Sequence, residues 1–488
     1  MRFKISTVVF FLFGILFVQE INAQTDSIDF FLKNEMQKRG IPGLQVAIVQ
    51  NGKIIKTGNY GLSNVQDSIP VDSRTLFTIN SITKAFTGIA IMQLVEAGKL
   101  NLSSPVSAYL DNLPDNWKPV TIQQLLSHTS GIPDIVDEEE AVLISPFGLQ
   151  ASWKQIQTLP MDFKPGEKFS YNQTNYLLLG KIIDTLSGMP FTEFITKEQL
   201  QKANMPNTIR AGFGATKDVI MHAAQQYQYR KGKLNNTFFS FDYPLQTAAG
   251  MSSTATEMAR WIIALQSNQF LKDKKSMTAL WAPAILNNGK TGGFSKLLSG
   301  YAAGWPIITR EEHPAAAPVG GGRDAVFVYL NDNLSIIVLS NLLGATPDAF
   351  IDELAGFYIP NMKASNGFGL SSSIKLLRDE LEKSGYKNAI KGFENIKKIN
   401  SGFDLPEADV NSWGYTLIKQ NKITDALEIF KLNVYLNPGS ANAYDSLGEI
   451  YAELGDTELA IKNYEESLKL NPKNSNAEKQ IQRLKSSM

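Results

Sequence analysis

The chain has 488 residues, of which 43% are hydrophobic and 10% aromatic, so it is long enough for more than one domain with a large core. Lys and Arg together number 47, as do Asp and Glu, and this balance argues against nucleic acid or an anionic membrane surface as a partner. The absence of cysteine excludes disulfides, thiolate nucleophiles and Cys-ligated metals, and the three histidines are scattered, so we expect neither a metal site nor a cofactor.

The first 23 residues have the layout of a secretory signal peptide. Arg2 and Lys4 precede an apolar run from Val8 to Val18, and the sequence Ile-Asn-Ala ends at Ala23. This run is shorter than the roughly 20 apolar residues that span a bilayer. We therefore expect cleavage before Gln24 and an exported mature chain, periplasmic or secreted, without an integral membrane segment.

Strand patterns lie on either side of a middle segment whose pattern indicates helices and loops. After a first helical pattern, alternating residues flank Asn51-Gly52, a dipeptide typical of a two-residue β-hairpin. A second hairpin is predicted to turn at Asn331–Asn333, before a last helix at Pro347–Tyr358. We therefore predict an α/β fold in which the two ends of residues 24–362 build one sheet, flanked by helices and carrying a helical subdomain.

The segment from Ser81 to Lys84 lies where an extended stretch gives way to an apolar helix. Residues three apart share a helix face, so this hydroxyl and this amine can approach each other. Burial lowers the pKa of a lysine and makes it a usable base, and the start of a helix favours an oxyanion. The alternative is a helix-capping serine with a lysine that reaches solvent. The same pattern occurs at Ser372–Lys375 and Ser384–Lys387, where polar surroundings predict solvated charges.

Five segments together resemble the beta-lactamase-related serine hydrolase superfamily, which includes class C beta-lactamases, DD-peptidases, D-aminopeptidases and family VIII carboxylesterases. The segments are FTINSITKAFTGIAIMQLVEAGKL, VTIQQLLSHTSGIPD, FKPGEKFSYNQTNYLLLGKII, AAGMSSTATEMARWI and IIVLSN. The resemblance extends over residues 28–358 and implies a beta-lactamase/transpeptidase-like sheet. It implies that Ser81 is the nucleophile and that Lys84 and Tyr171 transfer protons. The pKa of a phenol is about 10, so a cationic neighbour is expected to make ionised Tyr171 accessible; the alternative is an ordinary core tyrosine.

Two positions depart from the pattern of this superfamily. Gln173 stands where an Asn is usual, and we expect the longer amide to contact Lys84 or a substrate carbonyl from a shifted position. Val319-Gly320-Gly321 stands where Lys-Thr-Gly or His-Ser/Thr-Gly is usual, as in the apolar-Gly-Gly of family VIII carboxylesterases. Because Val and Gly supply neither cation nor hydroxyl, the site is less suited to a substrate carboxylate, and Gly320 and Gly321 are expected to meet the substrate through their backbone.

The glycine run preserves backbone access to the reacting carbonyl. The resemblance implies an oxyanion hole made by the N–H groups of Ser81 and Gly322, and one such donor is typically worth about 10²–10³ in rate. The alternative is that the glycines only turn the chain. Arg323 is a candidate for binding substrate charge, although an exposed arginine beside the pocket is the commoner outcome. His128 is expected to be structural, because a lysine and a tyrosine fill the role of base.

The C-terminal part of the chain has a 34-residue repeat. The pairs with this spacing are Pro438 and Pro472, Gly414 and Gly448, Ala426 and Ala460, and Phe430 and Tyr464. This resembles the tetratricopeptide family, whose helix pairs carry small residues where they cross. We predict a linker with a degenerate helical repeat at 363–406 and two all-α repeats at 407–488, which either bind a protein partner in a concave groove or dock on the first domain as a stabilising appendage.

These features predict an exported serine hydrolase that cleaves an ester or amide bond of a small-molecule or peptide-like substrate through an acyl-enzyme. Because of the two departures, a carboxylesterase or amidohydrolase ranks above a beta-lactamase, DD-peptidase or D-aminopeptidase that acts on peptidoglycan-like substrates. The alternative from another class is a non-catalytic ligand-binding protein that recruits a partner through its repeats.

Overall fold

The structure is a computed structural model that describes residues 27–137, 142–214, 219–238, 241–359, 362, 372–419 and 422–486. The predicted signal peptide at 1–23 lies outside the described residues. Across the described ranges, no helix combines the length and the apolar character needed to cross a bilayer. The same ranges contain no group of three or more His, Asp or Glu side chains arranged to hold a metal ion.

The described strands form one large sheet and three small ones. They are β1 (Gly43–Gln50), β2 (Lys53–Asn64), β3 (Ile69–Pro70), β4 (Phe77–Thr78), β5 (Val136–Asp137), β6 (Val142–Leu143), β7 (Gln226–Arg230), β8 (Lys233–Thr237), β9 (Ser252–Ser253), β10 (Gly300–Tyr301), β11 (Pro306–Ile308), β12 (Ala315–Ala316), β13 (Val319–Gly320), β14 (Asp324–Tyr329), β15 (Leu334–Ser340) and β16 (Leu342–Leu343). The large sheet is antiparallel in the order β10-β11-β12-β14-β15-β1-β2-β3, with β13 paired to β14. The small sheets are β16-β7-β8, β4-β9 and β5-β6.

The helices surround the large sheet and then continue as a separate stack. They are α1 (residues 27–39), α2 (Thr83–Glu96), α3 (Ile122–Leu126), α4 (Leu149–Ile156), α5 (Gln173–Ser187), α6 (Phe191–Ile195), α7 (Pro206–Ala211), α8 (Ala255–Gln266), α9 (Lys274–Trp281), α10 (Ile351–Ala355), α11 (Ser372–Ser384), α12 (Ala389–Ile399), α13 (Glu407–Lys419), α14 (Ile423–Leu436), α15 (Ala441–Leu454), α16 (Thr457–Leu470) and α17 (Ser475–Ser486). Short 3₁₀ helices include Asn80–Ile82 and Pro347–Ala349. We refer to residues 27–359 as the sheet domain and to the described residues from 372 onward as the helical region.

The two predicted hairpins place both ends of the sheet domain in one sheet. Asn51 and Gly52 have φ of 51° and 71°, the left-handed conformation that a two-residue hairpin turn requires at both positions. Strand β1 lies between β2 and β15, with Val46 opposite Val338. The predicted sheet is therefore confirmed. The middle segment, however, also contains the β7–β8 hairpin, which the helix-and-loop prediction missed.

The large sheet separates two hydrophobic cores. Along β1, Ala47 and Val49 face the core that contains α2, α5 and α8, whereas Leu44, Val46 and Ile48 face the core under α1 and α10. This alternation is the period-two pattern of a strand buried on both faces. Helix α2 is apolar nearly all round and buried along most of its length, so its first turn is held rigidly inside the domain.

The repeat spacing marks the points where helices cross. A Cβ atom added to Gly414 would lie 2.6 Å from the ring of Phe430, and one added to Gly448 would lie 3.0 Å from the ring of Tyr464. The small residues therefore let α13 approach α14 and α15 approach α16. This is the tetratricopeptide-like packing that the 34-residue period predicts. The limits proposed at residues 362 and 406 stay predictions.

Ion pairs join the helical region to the sheet domain. Among the described residues, the pairs are Lys375–Glu353 at 3.0 Å, Lys296–Asp409 at 3.2 Å and Lys38–Glu382 at 3.9 Å. Lys375 was expected to be solvated, but it is half-buried in this interface because α11 lies against the sheet domain. The helical region is docked, in agreement with the appendage alternative. A protein partner for the repeats stays a prediction.

Candidate active site

Ser81 lies in a strained turn at the start of the central helix. The 3₁₀ turn Asn80–Ile82 connects β4 to α2. Asn80 has φ of 48°, and its side-chain amide donates to the Thr78 carbonyl at 2.9 Å and to Asp324 Oδ2 at 3.3 Å. These two bonds hold a residue in the left-handed region, which is uncommon outside glycine. The turn presents the Ser81 hydroxyl to a cavity at the edge of the domain.

Lys84 is completely buried one helical turn behind Ser81. Its Nζ atom lies 2.9 Å from Gln173 Oε1, 2.9 Å from the Ala248 carbonyl oxygen and 3.5 Å from Ser81 Oγ. Burial lowers the pKa of this amine to about 7, although the negative charge of Asp134 acts in the opposite direction. A large fraction of Lys84 is therefore neutral at physiological pH, as a base must be.

Tyr171 lies next to both groups. The Lys84 Nζ atom is 4.6 Å from the centroid of its ring, and its hydroxyl is hydrogen-bonded with Ser81 and Gln173. Burial raises the pKa of Tyr171 above its ordinary value, and the hydrogen bonds to Ser81 and Gln173 only partly offset this. The expectation that the ionised phenol becomes accessible is therefore wrong. Tyr171 is protonated at rest, and the amine is the better resting base.

Gln173 contacts Lys84, as expected from the length of its side chain. It is the first residue of α5, whose N-cap, Asn172, accepts a hydrogen bond from the Asn175 amide at 2.9 Å. The cap fixes the start of the helix, so the Gln173 side chain reaches Nζ from the position where the superfamily has a shorter amide.

Asp134 is the residue of this site that the sequence analysis missed. Its carboxylate accepts hydrogen bonds from the amides of Gln173 at 3.0 Å and Thr174 at 3.3 Å, at the start of α5. Burial raises the pKa of Asp134 to about 6, and these backbone bonds act in the opposite direction. The signal was the last letter of the segment SHTSGIPD, which was used to identify the family but not to assign a role.

His128 packs against Tyr171 beside the site. Its Nδ1 atom accepts a hydrogen bond from the Asn172 amide at 3.0 Å, and its ring centroid lies 4.4 Å from that of Tyr171. Burial lowers the pKa of His128 well below its usual value, so the ring is neutral. The geometry agrees with a structural role.

The glycine turn (residues 320–323) forms the opposite wall. Gly321 and Gly322 have φ of 55° and 61°, and the Arg323 amide donates to the Gly320 carbonyl at 2.9 Å, so the glycines do turn the chain tightly. A Cβ atom on Gly320 would lie 2.3 Å from the Ile79 carbonyl oxygen, and Gly321 lines the cavity beside Ser81. The carbonyl of Gly322 accepts two amides from the other side. An oxyanion hole made by Ser81 and Gly322 stays a prediction.

Arg323 is buried, so the expectation of an exposed arginine is wrong. Only 2% of it is exposed, its Nη2 atom donates to Thr237 Oγ1 at 3.2 Å, and the residue is part of the cavity lining. Burial lowers the pKa of Arg323 to about 10, partly offset by Asp324, so it remains charged at neutral pH. The cavity thus has a cation, but not at the position where the superfamily has one.

The cavity has a volume of about 950 Å³ and mostly apolar walls. Its polar side chains come from Ser81, Gln173, Asn80, Ser145 and Arg323. The apolar wall residues include Val136, Val142, Leu143, Phe241, Leu245 and Leu343. Small-molecule sites typically have this combination of apolar walls with a few convergent polar groups.

Comparisons with known proteins agree with this arrangement. A sequence model of the beta-lactamase family matches residues 28–358, and a tetratricopeptide repeat model matches residues 441–474. Protein flp of Staphylococcus aureus is 31% identical over 327 residues, which are 66% of this chain and 64% of that protein, so the match spans less than two thirds of its length.

Two solved structures have a similar fold. A penicillin-binding protein from Bacillus halodurans is 27% identical, with a TM-score of 0.55 over 66% of this chain and 99% of that one. The octameric penicillin-binding protein homologue from Pyrococcus abyssi is 22% identical, with a TM-score of 0.60 over 72% of this chain and 81% of that one. The family match at 28–358 contains every residue of the cluster around Ser81.

Proposed function

The chain belongs to the beta-lactamase family of penicillin-binding-protein-like serine hydrolases, and from this premise we propose that it is a carboxylesterase or amidohydrolase that forms an acyl-enzyme on Ser81. The observation that carries the proposal is the hydrogen bonding of Lys84. A neutral amine has two N–H groups and one lone pair. The carbonyl oxygens of Gln173 and Ala248, each 2.9 Å from Nζ, account for the two N–H groups, which leaves the lone pair for the Ser81 hydroxyl.

Acylation then proceeds by proton transfer within this cluster. Lys84 takes the Ser81 proton as Oγ bonds to the substrate carbonyl carbon, and the carbonyl becomes an oxyanion that N–H groups of Ser81 and Gly322 stabilise. Tyr171, protonated at rest, donates its hydroxyl proton to the leaving oxygen or nitrogen and is reprotonated by the Lys84 ammonium. The bond to the leaving group breaks, an alcohol or amine departs, and the acyl group stays on Ser81.

Deacylation uses the same groups in reverse. A water molecule loses a proton to the neutral Lys84 as its oxygen bonds to the acyl carbon. The ester bond to Ser81 then breaks, and the proton returns to Oγ by way of Lys84 and Tyr171. The products are a carboxylic acid and the resting enzyme, so no cofactor is required for the balance of atoms.

The cavity supports an apolar substrate. Its walls are formed mainly by aliphatic and aromatic side chains, and the volume of about 950 Å³ accommodates a small-molecule or short peptide-like ester or amide. The Val319-Gly320 pair supplies neither the cation nor the hydroxyl that suits a carboxylate in the related hydrolases. These features support the proposal that esters and amides with apolar acyl groups are better substrates than penicillins.

Export and partner binding complete the proposal. The charge and hydropathy pattern of residues 1–23 supports a signal peptide and an extracytoplasmic enzyme. The tetratricopeptide repeat at 441–474 supports binding of a protein segment, since such repeats build concave surfaces.

Turnover of nitrophenyl acyl esters by the purified protein tests the proposal. We expect hydrolysis with a burst of nitrophenol, covalent labelling by a fluorophosphonate, and loss of both in Ser81→Ala. Ser384→Ala is a matched control, because Ser384 begins another Ser-x-x-Lys pattern but is exposed, and it should behave like the wild type. If the wild type shows neither turnover nor labelling, a non-catalytic ligand-binding protein is the better interpretation.

Penicillin recognition is the second candidate, and Arg323 is the observation that favours it. Arg323 is charged and is part of the cavity lining, so it supports binding of a substrate carboxylate. Acylation of Ser81 by a fluorescent penicillin, faster than acylation by a neutral ester of similar size, would reverse the order of the two candidates.

A further inference from the structure

Thr346 has a backbone conformation that a β-branched residue rarely adopts. Its φ of 45° and ψ of 60° lie in the left-handed region, where Cβ branching adds steric strain. Two hydrogen bonds hold it there. Its amide donates to the Gly322 carbonyl at 3.0 Å, and its hydroxyl accepts from Arg39 Nη1 at 2.9 Å. Strain that is held in this way is often found next to functional sites.

The bond to Gly322 connects Thr346 to the wall of the active site. Gly322 also accepts the Gly344 amide at 3.2 Å, so its carbonyl is fixed from two sides. On the other face of the same turn, a Cβ atom on Gly321 would lie 3.2 Å from the side chain of Asn80, the residue before the nucleophile. The glycine turn is thus in contact with the Ser81 turn on one face and bound to Thr346 on the other.

The bond to Arg39 connects Thr346 to the interface with the helical region. Arg39 is 5% exposed, its Nε atom donates to Glu35 at 2.9 Å, and its guanidinium lies 5.0 Å from the ring of Phe350. A cavity of about 140 Å³ adjoins Arg39 and Thr346, and its far side is formed by Arg378 and Trp413 of the helical region. The docked helices therefore limit solvent access to this hydrogen bond.

We propose that Thr346 and Arg39 are positioning residues that hold the glycine turn against the Ser81 turn from outside the cavity. The pair acts through the Gly322 carbonyl and does not touch the substrate. The expected effect of this pair on the reaction rate rests on the proposed function, in which the glycine turn carries an oxyanion donor. The proposal that the pair holds the turn in place does not depend on that function. The docked helical region covers this pair.

Four variants of the full-length protein test the proposal. Thr346→Val removes the hydroxyl but keeps the branched shape, and Arg39→Met removes the donor. Thr346→Ser keeps the hydroxyl and is the conservative control. Arg378→Met is the control for the interface, because Arg378 adjoins the same cavity and pairs with Asp379 and Glu382. Amide hydrogen exchange over residues 319–325 and 342–348 measures how rigidly the glycine turn is held. The kcat and KM for a neutral nitrophenyl ester measure the effect of the turn on catalysis.

We expect Thr346→Val and Arg39→Met to increase exchange in both segments and to lower kcat about tenfold with KM within about twofold, since a displaced oxyanion donor weakens transition-state binding only. Thr346→Ser and Arg378→Met should match the wild type in both measurements. Unchanged exchange in Thr346→Val and Arg39→Met overturns the proposal, and so does an equal loss in either control. If the wild type shows no turnover that depends on Ser81, the proposed function fails. The exchange measurement still tests whether Thr346 and Arg39 hold the glycine turn in place.

Discussion

The two walls of the Ser81 cavity differ in how they present polar groups. The wall built by α2 and α5 holds side chains together by hydrogen bonds, with Lys84 between Gln173 and the Ala248 carbonyl. The wall built by the glycine turn offers main chain and one buried guanidinium, that of Arg323. In the proposed reaction, the first wall carries proton transfer, whereas the second supplies backbone groups and a cation. If the proposed function is correct, the difference teaches that proton transfer and backbone stabilisation of the substrate depend on separate parts of this fold.

The same contrast explains why one departure from the superfamily pattern is compensated and the other is not. At position 173 the longer amide still reaches Nζ at 2.9 Å, so the contact survives the substitution. At Gly320 a side chain is excluded by geometry, because even a Cβ atom would lie 2.3 Å from the Ile79 carbonyl. A hydroxyl-bearing residue therefore cannot return there without movement of the Ser81 turn.

The largest expected effect comes from the first wall. Lys84→Met keeps most of the buried volume but removes the base, so kcat/KM for a nitrophenyl ester should fall about 10³-fold, in the range typical of a lost general base. The melting temperature should stay the same or rise, because the variant no longer buries an amine whose charged form is disfavoured there.

Stopped-flow acylation and thermal unfolding of the same samples check this. Lys387→Met is the matched control, since Lys387 ends another Ser-x-x-Lys pattern and is exposed. Turnover that persists in Lys84→Met, together with a lowered melting temperature, would assign Lys84 to packing and remove the distinction between the walls.

Gly320→Ala is expected to give the next largest effect, from the second wall. The added methyl group must displace the Ile79 carbonyl and with it the Ser81 turn, and a shift of about 1 Å can reduce kcat about 10²-fold. Overpacking of this kind also costs about 1–3 kcal/mol of unfolding free energy. Kinetics and denaturant unfolding measure the two losses, and Gly439→Ala, where a Cβ atom meets no neighbour, should show neither. A wild-type kcat in Gly320→Ala would mean that the walls are not in rigid contact.

The pH dependence of kcat/KM should reflect the protonation of Lys84 in the first wall, and we expect an effect of intermediate size. Because the pKa of Lys84 is lowered to about 7, the neutral base becomes more abundant as pH rises. We expect kcat/KM to increase about tenfold between pH 6 and pH 8 and then to level off. Asp134→Asn removes the negative charge that favours the ammonium, so the midpoint should move to lower pH. A midpoint that does not move in this variant would separate Asp134 from the electrostatics of Lys84.

The parts of the site that depend on local sequence were predictable. Ser81 lies in the 3₁₀ turn that leads into α2, three residues before Lys84 in the first turn of that helix, and Asn51-Gly52 fixes its hairpin by turn chemistry alone. The resemblance to a family then indicated Tyr171 and Gln173. Motif spacing and family resemblance together therefore predicted that Ser81, Lys84, Tyr171 and Gln173 lie close to one another.

The parts that depend on distant contacts were not predictable. Asp134 gains its role only when the start of α5 folds back onto it, and Arg323 is buried because Thr237 of the β8 strand meets it. The lowering of the Lys84 pKa was anticipated, but the raised pKa of Tyr171 was not, since desolvation of a phenol depends on every element packed around it. Strands β10 to β12, at one end of the large sheet, are only two or three residues long and thus too short for an alternating pattern to indicate.

The smallest expected effect concerns Val319, the position where related hydrolases have Lys or His. Val319 pairs with Ala325 in the sheet, packs against the core under α1 and α10 and does not line the cavity. Val319→Lys should therefore leave kcat/KM for a neutral ester within about twofold, because a lysine here can extend its amine to solvent. It should also leave the rate ratio between a carboxylated and a neutral nitrophenyl ester unchanged. A tenfold gain for the carboxylated ester would show that one side chain restores recognition, and the second wall would then differ from that of its relatives in sequence but not in geometry.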